Sequence, residues 1–429
     1  MDKIKIIGGN RLNGQIYISG AKNAALPLIC ASLLTDETVT LTNMPMLSDI
    51  RSMNALLEQM GTQIDSFDDF VDGHATKTYS YRTQKFSSLI APYDYVRKMR
   101  ASYYVLGPVL AREGHVELSL PGGCAIGARP MDIHLSSLEQ MGATIEIKNG
   151  YVHADIKGRL KGAHITFHTA SVGATCNILM AATLAEGETV IENAAKEPEI
   201  GDLIDLLTAM GAKIEGRDSS KLTIQGVDKL HGAQHKVIAD RIEAGSYAIA
   251  AAITNGRLEL INAQASTLRT PIEILRAMGV NVEEGKDSLL IDAKGKTLTG
   301  QDIMTDYYPG FPTDLQAQFM ALMTVSEGAS LVTENIWENR FMHVVELNRM
   351  GANITTEGRS AVITGPAHLT GCTVRATDLR AGAAMILAGL VAEGATEICD
   401  IYHIDRGYEE IAAKLTRLGA DIKRVGTKD

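Results

Sequence analysis

The residues best suited to chemistry lie in one turn-rich loop, residues 119–132, which holds a thiol, a guanidinium group and a carboxylate. Three of its residues permit backbone angles that other amino acids avoid, namely Gly122, Gly123 and Gly127. Cys124 is expected to be exposed on such a loop, and Arg129 five residues later would favour its thiolate form. A lone cysteine is more often a small buried apolar side chain. The loop alone therefore leaves a reactive thiol and a structural thiol both open.

Basic side chains also stand where helices are predicted to begin. Lys22 and Asn23 follow a predicted strand and open the apolar helix 24–34. A lysine there adds to the positive end of the helix dipole, which costs stability but suits the binding of an anion. Arg380 stands near the start of another apolar helix. It is the second residue after Asp378, which is a natural N-cap. These positions predict binding of an anionic ligand.

A carboxylate and two more arginines occupy similar places. Asp314 begins a predicted helix, where it could cap the helix or act as a general base, and the sequence leaves both open. Arg340 and Arg406 each follow a strand and precede an amphipathic helix, and taken singly each fits ordinary surface charge. The eleven histidines show no H-E-x-x-H pattern, so no metal site is predicted.

A repeated structural unit is expected to position these charged side chains. Six times the sequence has an amphipathic helix that ends in Met-Gly or Leu-Gly and is followed by a strand. The glycines are Gly61, Gly142, Gly211, Gly279, Gly351 and Gly419, spaced by 81, 69, 68, 72 and 68 residues. Each stands where a left-handed helix cap is expected. The near-constant spacing predicts six related structural units.

The third copy gives the order of elements within one unit. It predicts helices 172–185 and 199–210, with strand 188–193 between them and strands 213–215 and 221–225 after them. The first helix is apolar all round and must be covered on every side, whereas the second can face water. We therefore predict an α/β fold of six α-β-α-β-β units, three per domain, with helices inside, sheets outside and a domain boundary near residue 239.

Composition limits the partners. The formal net charge is 41 minus 51, or −10, so nucleic acid and anionic membranes are not expected partners. The five cysteines include no C-x-x-C pair, as expected in a reducing compartment. The apolar uncharged runs 24–35 and 381–392 have twelve residues each, short of the roughly twenty that span a bilayer. We predict a cytoplasmic protein without signal peptide.

Six separated motifs carry a resemblance to a known family. They are Lys22-Asn23, Pro-Gly-Gly-Cys-x-Ile-Gly-x-Arg-Pro at 121–130, Phe-Pro-Thr-Asp at 311–314, Glu-Asn-Arg at 338–340, Thr-Asp-Leu-Arg at 377–380 and Tyr-x-Ile-Asp-Arg-Gly-Tyr at 402–408. Together they closely resemble the UDP-N-acetylglucosamine 1-carboxyvinyltransferase family, the enolpyruvyl transferases of the first committed step of peptidoglycan synthesis. The resemblance runs from about residue 3 to about residue 425.

The resemblance implies a two-domain inside-out α/β barrel. Residues 1–22 and 239–429 would form one domain and residues 23–238 the other, with the active site in the cleft between them. The implied reaction moves the enolpyruvyl group of phosphoenolpyruvate onto the 3′-hydroxyl of UDP-N-acetylglucosamine and releases phosphate. No metal or organic cofactor is implied.

The resemblance also implies roles for individual residues. Cys124 would be the general acid and could form an adduct with phosphoenolpyruvate, and Asp314 would be the general base. The residues implied to bind phosphoenolpyruvate are Lys22, Arg129 and Arg406 at the phosphate, Arg340 and Arg380 at the carboxylate, and also Asn23. Lys22 is also implied in catalysis. The nucleotide sugar would contact Arg100, Arg129, Pro130, Met131, Asp132, Ile133, Ala170, Ser171, Val172, Gly173, Asp314 and Ile336.

The sequence departs from the family pattern at one position, and two alternative functions remain. Some relatives carry a basic residue where Thr169 stands, so His168 is a candidate donor to the nucleotide in its place. The related shikimate-pathway enolpyruvyl transferase shares the architecture but lacks the Pro-Gly-Gly-Cys loop, so Cys124 argues against that activity. A non-catalytic paralogue that binds the nucleotide sugar is disfavoured by the joint presence of Cys124, Asp314 and the basic side chains.

Overall fold

The computed structural model describes residues 2–71, 74–97, 99–120 and 131–426, so Cys124, Arg129 and Pro130 lie outside the described residues. The described chain divides into two compact units. Unit 1 contains the N-terminal residues up to Ser19 and those from Ala239 onward, and unit 2 contains the described residues between Gly20 and Ile238. Lys22 therefore lies in unit 2, whereas the resemblance assigns it to the domain of residues 239–429.

The described helices differ in length between and within the repeats. The α-helices are α1 (Lys22–Ala31), α2 (Ser48–Met60), α3 (Tyr93–Val96), α4 (Leu106–Glu113), α5 (Asp132–Gln140), α6 (Val172–Ala182), α7 (Pro198–Ala209), α8 (Arg241–Ile253), α9 (Arg269–Ala277), α10 (Gln316–Thr324), α11 (His343–Arg349), α12 (Leu379–Gly389) and α13 (Ile411–Arg417). Short 3₁₀ helices cover Ser32–Leu34, Arg100–Val105, Ala265–Thr267, Thr313–Leu315 and Ile401–Arg406.

The strands are short and follow the helices in a regular order. The first part of the chain forms β1 (Lys3–Ile7), β2 (Asn13–Tyr17), β3 (Val39–Met44), β4 (Gln63–Val71), β5 (His74–Arg82), β6 (Ile90–Ala91), β7 (His115–Ser119), β8 (Thr144–Lys148), β9 (Tyr151–Asp155), β10 (His164–Thr166), β11 (Glu188–Glu192), β12 (Lys213–Glu215), β13 (Lys221–Gln225) and β14 (Gln234–Lys236). The remainder forms β15 (Arg257–Ile261), β16 (Asn281–Glu284), β17 (Ser288–Asp292), β18 (Ile303–Met304), β19 (Gly328–Thr333), β20 (Ile354–Glu357), β21 (Ser360–Gly365), β22 (Thr373–Arg375), β23 (Ala395–Cys399) and β24 (Asp421–Val425).

Within the described ranges these strands form six four-stranded sheets, three in each unit. Unit 2 has the strand orders β14-β3-β5-β4, β6-β7-β9-β8 and β10-β11-β13-β12. Unit 1 has the orders β16-β17-β15-β2, β18-β19-β21-β20 and β22-β23-β1-β24. In each sheet one edge strand of two to five residues runs parallel to its neighbour, and the other neighbours are antiparallel. This common pairing confirms the predicted α/β class.

The third repeat shows where the prediction was complete and where it was not. Strands β12 and β13 cover the predicted residues 213–215 and 221–225, and α6 and α7 lie within one to three residues of the predicted helices. The prediction omitted β10, which pairs with β11 in register Ile165↔Ile191. Three residues are too few to show an alternating pattern. In the structure, each repeat has a short strand before its first helix.

The apolar helices are covered on all sides, as predicted. Every residue of α6 after Val172 is buried, and so is every residue of α12 after Leu379. The strands of the surrounding sheets alternate between buried and more exposed residues, as in β11. Each unit has its own hydrophobic core. Among the described residues no helix has both the length and the apolar character that a membrane span requires.

The six predicted cap glycines all adopt positive φ, between 94° and 106°. Each follows the amphipathic helix of its repeat, and the next residue donates its backbone N–H to a leucine carbonyl five residues earlier, as Val280 does to Leu275 at 3.0 Å. This is the Schellman pattern, which satisfies carbonyls at the end of a helix. The six glycines therefore mark the repeat in the sequence, because this helix end requires a positive φ.

Replacing Gly279 by alanine should lower the free energy of unfolding by about 1–2 kcal/mol, because L-residues disfavour this conformation. The position has φ +105°, and an added Cβ would be 3.5 Å from the nearest atom, the Thr297 carbonyl oxygen, so no clash contributes. Urea denaturation measures the change. Gly279→Asn should lose less, since asparagine tolerates positive φ. Equal stability of Gly279→Ala and the wild type would contradict the assignment.

Candidate active site

The clearest polar cluster in unit 1 is a carboxylate held between two buried guanidinium groups. Arg340 Nη2 donates to Asp314 Oδ1 at 2.9 Å, and Arg380 Nη2 donates to Asp314 Oδ2 at 2.7 Å. The two arginine side chains are 5% exposed and that of Asp314 is 27% exposed. The geometry therefore brings together three of the residues that the sequence singled out, two from the fifth repeat and one from the sixth.

Local structure explains the position of Asp314. It lies in the 3₁₀ turn Thr313–Leu315 that leads into α10, and the N-cap residues of these two helices are Pro312 and Leu315. The carboxylate is directed to the arginines, so the structure favours a role in the cluster over helix capping.

Arg380 is fixed by the start of α12. The Asp378 side chain caps this helix, with Oδ1 accepting from the backbone N–H of Arg380 at 2.7 Å and of Ala381 at 3.1 Å. The predicted N-cap is thus confirmed. Burial by itself would lower the pKa of Arg380, but Asp314, Tyr408 and Asp240 together outweigh it and the net shift is upward. Arg380 therefore stays charged in a buried position.

A second layer of polar side chains supports this cluster. The Tyr408 hydroxyl lies 2.7 Å from Ser246 Oγ and accepts from Gln318 Nε2 at 3.1 Å and from Arg380 Nη1 at 3.4 Å. Gln318 Nε2 also donates to the Asp314 backbone carbonyl at 2.9 Å. Burial raises the pKa of Tyr408, so its hydroxyl stays protonated at neutral pH. This layer restrains both Arg380 and Asp314.

Two histidines lie close to the predicted site residues. Burial lowers the pKa of His343 to about 4, with Asp378 opposing the shift and Arg340 adding to it. His343 is therefore neutral at pH 7, and its Nε2 lies 3.2 Å from Met320 Sδ. The pKa of His403 is lowered by burial and by Arg406, the last residue of the 3₁₀ helix Ile401–Arg406, which packs on α12.

In unit 2, Lys22 and Asn23 form the first turn of α1. Lys22 Nζ lies 3.5 Å from Asp49 Oδ2 in the first turn of α2, and the two side chains are 13% and 5% exposed. The helix N-terminus at Ala21 receives no side-chain cap hydrogen bond. A largely buried ammonium group thus stands at the positive end of a helix, an arrangement that suits an anion.

The residues predicted to contact a nucleotide sugar fall mainly around two helix starts in unit 2. Met131 precedes α5, which begins with Asp132 and Ile133, and α5 packs against α6. Ala170 and Ser171 precede α6, where Ser171 Oγ accepts from the Ala174 N–H at 3.2 Å. His168 Nε2 lies 3.8 Å from Asp132 Oδ2 and links the two starts.

Close packing fixes the start of α6. A Cβ on Gly173 would lie 2.7 Å from the Tyr103 hydroxyl. Tyr103 belongs to the 3₁₀ helix that begins at Arg100, so the three predicted segments lie together in unit 2. Ile336 is the exception, because it lies in unit 1, where its N–H donates to Glu334 Oε1 at 2.9 Å.

Sequence reasoning missed the second polar layer and the buried Glu334. Ser246, Gln318 and Glu334 are ordinary polar residues within helical or strand-like sequence, and no spacing marks them. The Tyr402–Tyr408 motif contained Tyr408 but did not indicate its contact with Arg380. Within the part of the chain that the structure describes, no group of three or more His, Cys, Asp or Glu residues could hold a metal ion.

Comparison with known proteins decides the family. The family model of EPSP synthase (3-phosphoshikimate 1-carboxyvinyltransferase) matches residues 6–415. The UDP-N-acetylglucosamine 1-carboxyvinyltransferase of Paramagnetospirillum magneticum is 54% identical over 426 residues, covering 99% of both chains. The chain belongs to the EPSP synthase family. The enzyme of the same name from Granulibacter bethesdensis is 55% identical over 430 residues, covering 99% of this chain and 100% of that one.

Solved structures agree on the fold of this EPSP synthase family member. The enolpyruvyl transferase NikO from Streptomyces tendae matches with a TM-score of 0.87 at 23% identity, covering 100% of this chain and 99% of that one. An EPSP synthase from Acinetobacter baumannii matches with a TM-score of 0.74 at 20% identity, covering 99% and 100%. At these identities the likeness shows the fold alone. The relatives at 51–55% identity show that the chain is an enzyme, a transferase.

Proposed function

We propose that this transferase moves the enolpyruvyl group of phosphoenolpyruvate to the 3′-hydroxyl of UDP-N-acetylglucosamine and releases phosphate, the first committed step of peptidoglycan synthesis. The observation that carries the proposal is the identity of 51–55% over the whole chain with relatives that bear this activity in their names. The proposed setting is the cytoplasm, and the proposed partners are the two small-molecule substrates.

The proposed chemistry is addition followed by elimination. The 3′-oxygen bonds to C2 of phosphoenolpyruvate while Asp314 takes its proton, and C3 gains a proton from Cys124. In the second step C3 returns a proton to the Cys124 thiolate, the double bond re-forms, and the bond between C2 and the phosphate oxygen breaks so that phosphate leaves. Cys124 lies outside the described residues, so its role is proposed from the resemblance alone.

The cluster around Asp314 supports the proposed handling of the substrate carboxylate. Arg340 and Arg380 already bind a carboxylate, that of Asp314, with one Nη2 donor each. Guanidinium groups present several donors in a planar fork, which suits carboxylates. We propose that the carboxylate of phosphoenolpyruvate competes with Asp314 for these donors. Asp314 would then be released towards the acceptor hydroxyl in time to take its proton.

The phosphate is proposed to bind Lys22, Arg129 and Arg406, and Asn23 is proposed to contact phosphoenolpyruvate beside them. The supporting observation is the Lys22 ammonium at the start of α1, where the helix dipole also favours negative charge. The nucleotide sugar is proposed to bind Ile336 and the unit 2 residues around the starts of α5 and α6. Asp132 belongs to this group, and its contact with His168 supports His168 as the candidate donor.

Phosphate release from phosphoenolpyruvate, measured with each acceptor in turn, tests the function. Release with UDP-N-acetylglucosamine, and formation of the enolpyruvyl product by mass spectrometry, is the expected result. Release with shikimate 3-phosphate alone would overturn the proposal. Binding of UDP-N-acetylglucosamine without any turnover would instead support a non-catalytic paralogue.

Fosfomycin, an epoxide, should inactivate the enzyme by alkylating Cys124. The competing thiols are less suited, because Cys30 and Cys176 are buried and burial raises the pKa of each. Cys372 and Cys399 are partly exposed and serve as internal competitors. Peptide mass spectrometry locates the adduct, and Cys124→Ala should abolish both labelling and turnover. An adduct mainly on Cys372 or Cys399 would contradict the assignment.

A further inference from the structure

Glu334 is a fully buried carboxylate in unit 1 that the predicted site does not use. It follows β19 directly and has no exposed surface. Its Oε1 accepts from Thr305 Oγ1 at 2.8 Å, from the Ile336 N–H at 2.9 Å and from the Trp337 N–H at 3.1 Å. Its Oε2 accepts from Thr313 Oγ1 at 2.9 Å. Four donors thus converge on one side chain.

The backbone of Glu334 is held as firmly as its carboxylate. Its N–H donates to the Arg359 carbonyl at 2.8 Å, and Arg359 Nη1 donates to the carbonyls of Glu334 at 3.3 Å and Asn335 at 2.9 Å. Arg359 lies in the turn between β20 and β21 of the same sheet. Glu334 is therefore a fixed point at the end of this sheet.

The donors to Glu334 belong to the two segments that carry predicted site residues. Thr313 is the residue before Asp314, and the Ile336 and Trp337 amides begin the segment that leads to Arg340. Burying a carboxylate is costly unless hydrogen bonds compensate it, and a carboxylate accepts such bonds about twice as strongly as a neutral group. The buried Glu334 side chain therefore links the position of the Asp314 carboxylate to that of the Arg340 guanidinium group.

We propose that Glu334 is a positioning residue that sets the Asp314 carboxylate against Arg340, acting through Thr313 and the 336–337 turn. The inference rests on the proposed function of Asp314 as general base. Glu334 itself touches neither substrate. A small displacement of a reacting group can cost a large factor in rate, so loss of this link should appear in kcat rather than in substrate binding.

The test compares hydroxyl deletions at two threonines of unit 1. Thr313→Val removes the link beside Asp314, and Thr313→Ser keeps the hydroxyl. Thr324→Val is the matched control, because its hydroxyl donates to the Ala321 carbonyl at 2.7 Å and is not among the donors to Glu334. We expect Thr313→Val to lower kcat about 10-fold or more, with KM for UDP-N-acetylglucosamine changed less than 3-fold. Thr313→Ser and Thr324→Val should stay within about 3-fold of wild-type kcat.

Glu334→Gln completes the design as a double-mutant cycle. Its kcat should fall at least as far as that of Thr313→Val, and adding Thr313→Val to it should cause little further loss, because both changes break the same link. Thermal melting of each variant reports folding. A Thr313→Val variant with wild-type kcat, or a Thr324→Val variant as slow as Thr313→Val, overturns the inference while wild-type turnover preserves the proposed function. Absence of wild-type turnover overturns both.

Discussion

Asp314→Asn is expected to lower kcat with UDP-N-acetylglucosamine by about 10²–10⁴-fold, the range that general-base catalysis contributes. An amide of the same shape keeps one acceptor oxygen and can accept from only one of the two arginines, and it cannot take the proton of the 3′-hydroxyl. KM for phosphoenolpyruvate should change far less, because both guanidinium groups remain. Steady-state phosphate release at saturating acceptor measures the effect.

A control variant tests whether the effect of Asp314→Asn comes from loss of the general base or simply from loss of an ion pair. Glu346, on α11 of the same unit, lies 2.7 Å from Arg349 Nη1 and also accepts from the Arg375 N–H at 3.3 Å. Glu346→Gln removes a partly buried carboxylate without touching the cluster, so its kcat should stay within about 3-fold of wild type. If Asp314→Asn retained wild-type kcat while melting normally, Asp314 would not be the base.

The second large effect concerns stability and lies in a buried ion pair of unit 1. Lys414 Nζ lies 2.7 Å from Glu243 Oε1 and 2.7 Å from Ser19 Oγ, and Glu243 Oε2 accepts from the Ser19 N–H at 2.7 Å. Lys414→Met should lower the free energy of unfolding by about 3–5 kcal/mol, because it leaves a buried carboxylate without its counter-charge. Urea denaturation at pH 7 measures the loss.

The pH dependence of the free energy of unfolding gives a second test of the Lys414→Met variant. Burial already raises the pKa of Glu243, with Lys414 opposing that shift. Without Lys414 the folded protein holds the Glu243 proton more tightly than the unfolded chain, so stability falls as pH rises above the unfolded value near 4.3. The deficit should therefore be smaller at pH 5 than at pH 7. The double variant Glu243→Gln/Lys414→Met should regain much of the loss, and a double variant as unstable as Lys414→Met would refute the account.

The sequence predicted most of what depends on a local backbone or solvation requirement. The glycine caps required positive φ, and the helix that became α6 was too apolar to face water, so both could be recognised without knowing any contact. The short parallel edge strands were missed because two or three residues carry no periodicity. The cap on α12 by Asp378 was predicted because capping needs only neighbouring residues in the chain.

The site was harder to predict because its contacts join residues far apart in the chain, 26 residues for Asp314 and Arg340 and 66 residues for Asp314 and Arg380. The resemblance supplied Asp314, Arg340 and Arg380, but nothing in the chain indicates that the carboxylate bridges both guanidinium groups. Glu334 illustrates the limit most clearly. In Thr-Glu-Asn-Ile-Trp-Glu-Asn-Arg, the buried Glu334 and the exposed Glu338 have the same residue type and similar neighbours. Burial depends on Thr305 and Thr313, which lie more than twenty residues earlier.

The N-terminal strand has a consequence for biosynthesis. β1 lies inside its sheet, paired with β23 through Ile4↔Ile398 and with β24 through Ile6↔Ile422. The ribosome makes β1 long before β23 and β24, so this sheet cannot close until residues 395–425 have emerged. Unit 2 is complete in sequence at Ile238 and can fold while unit 1 is still being made. We therefore expect translation to order the folding of the two units, with the pairing of β1 with β23 and β24 as the slowest contact of unit 1.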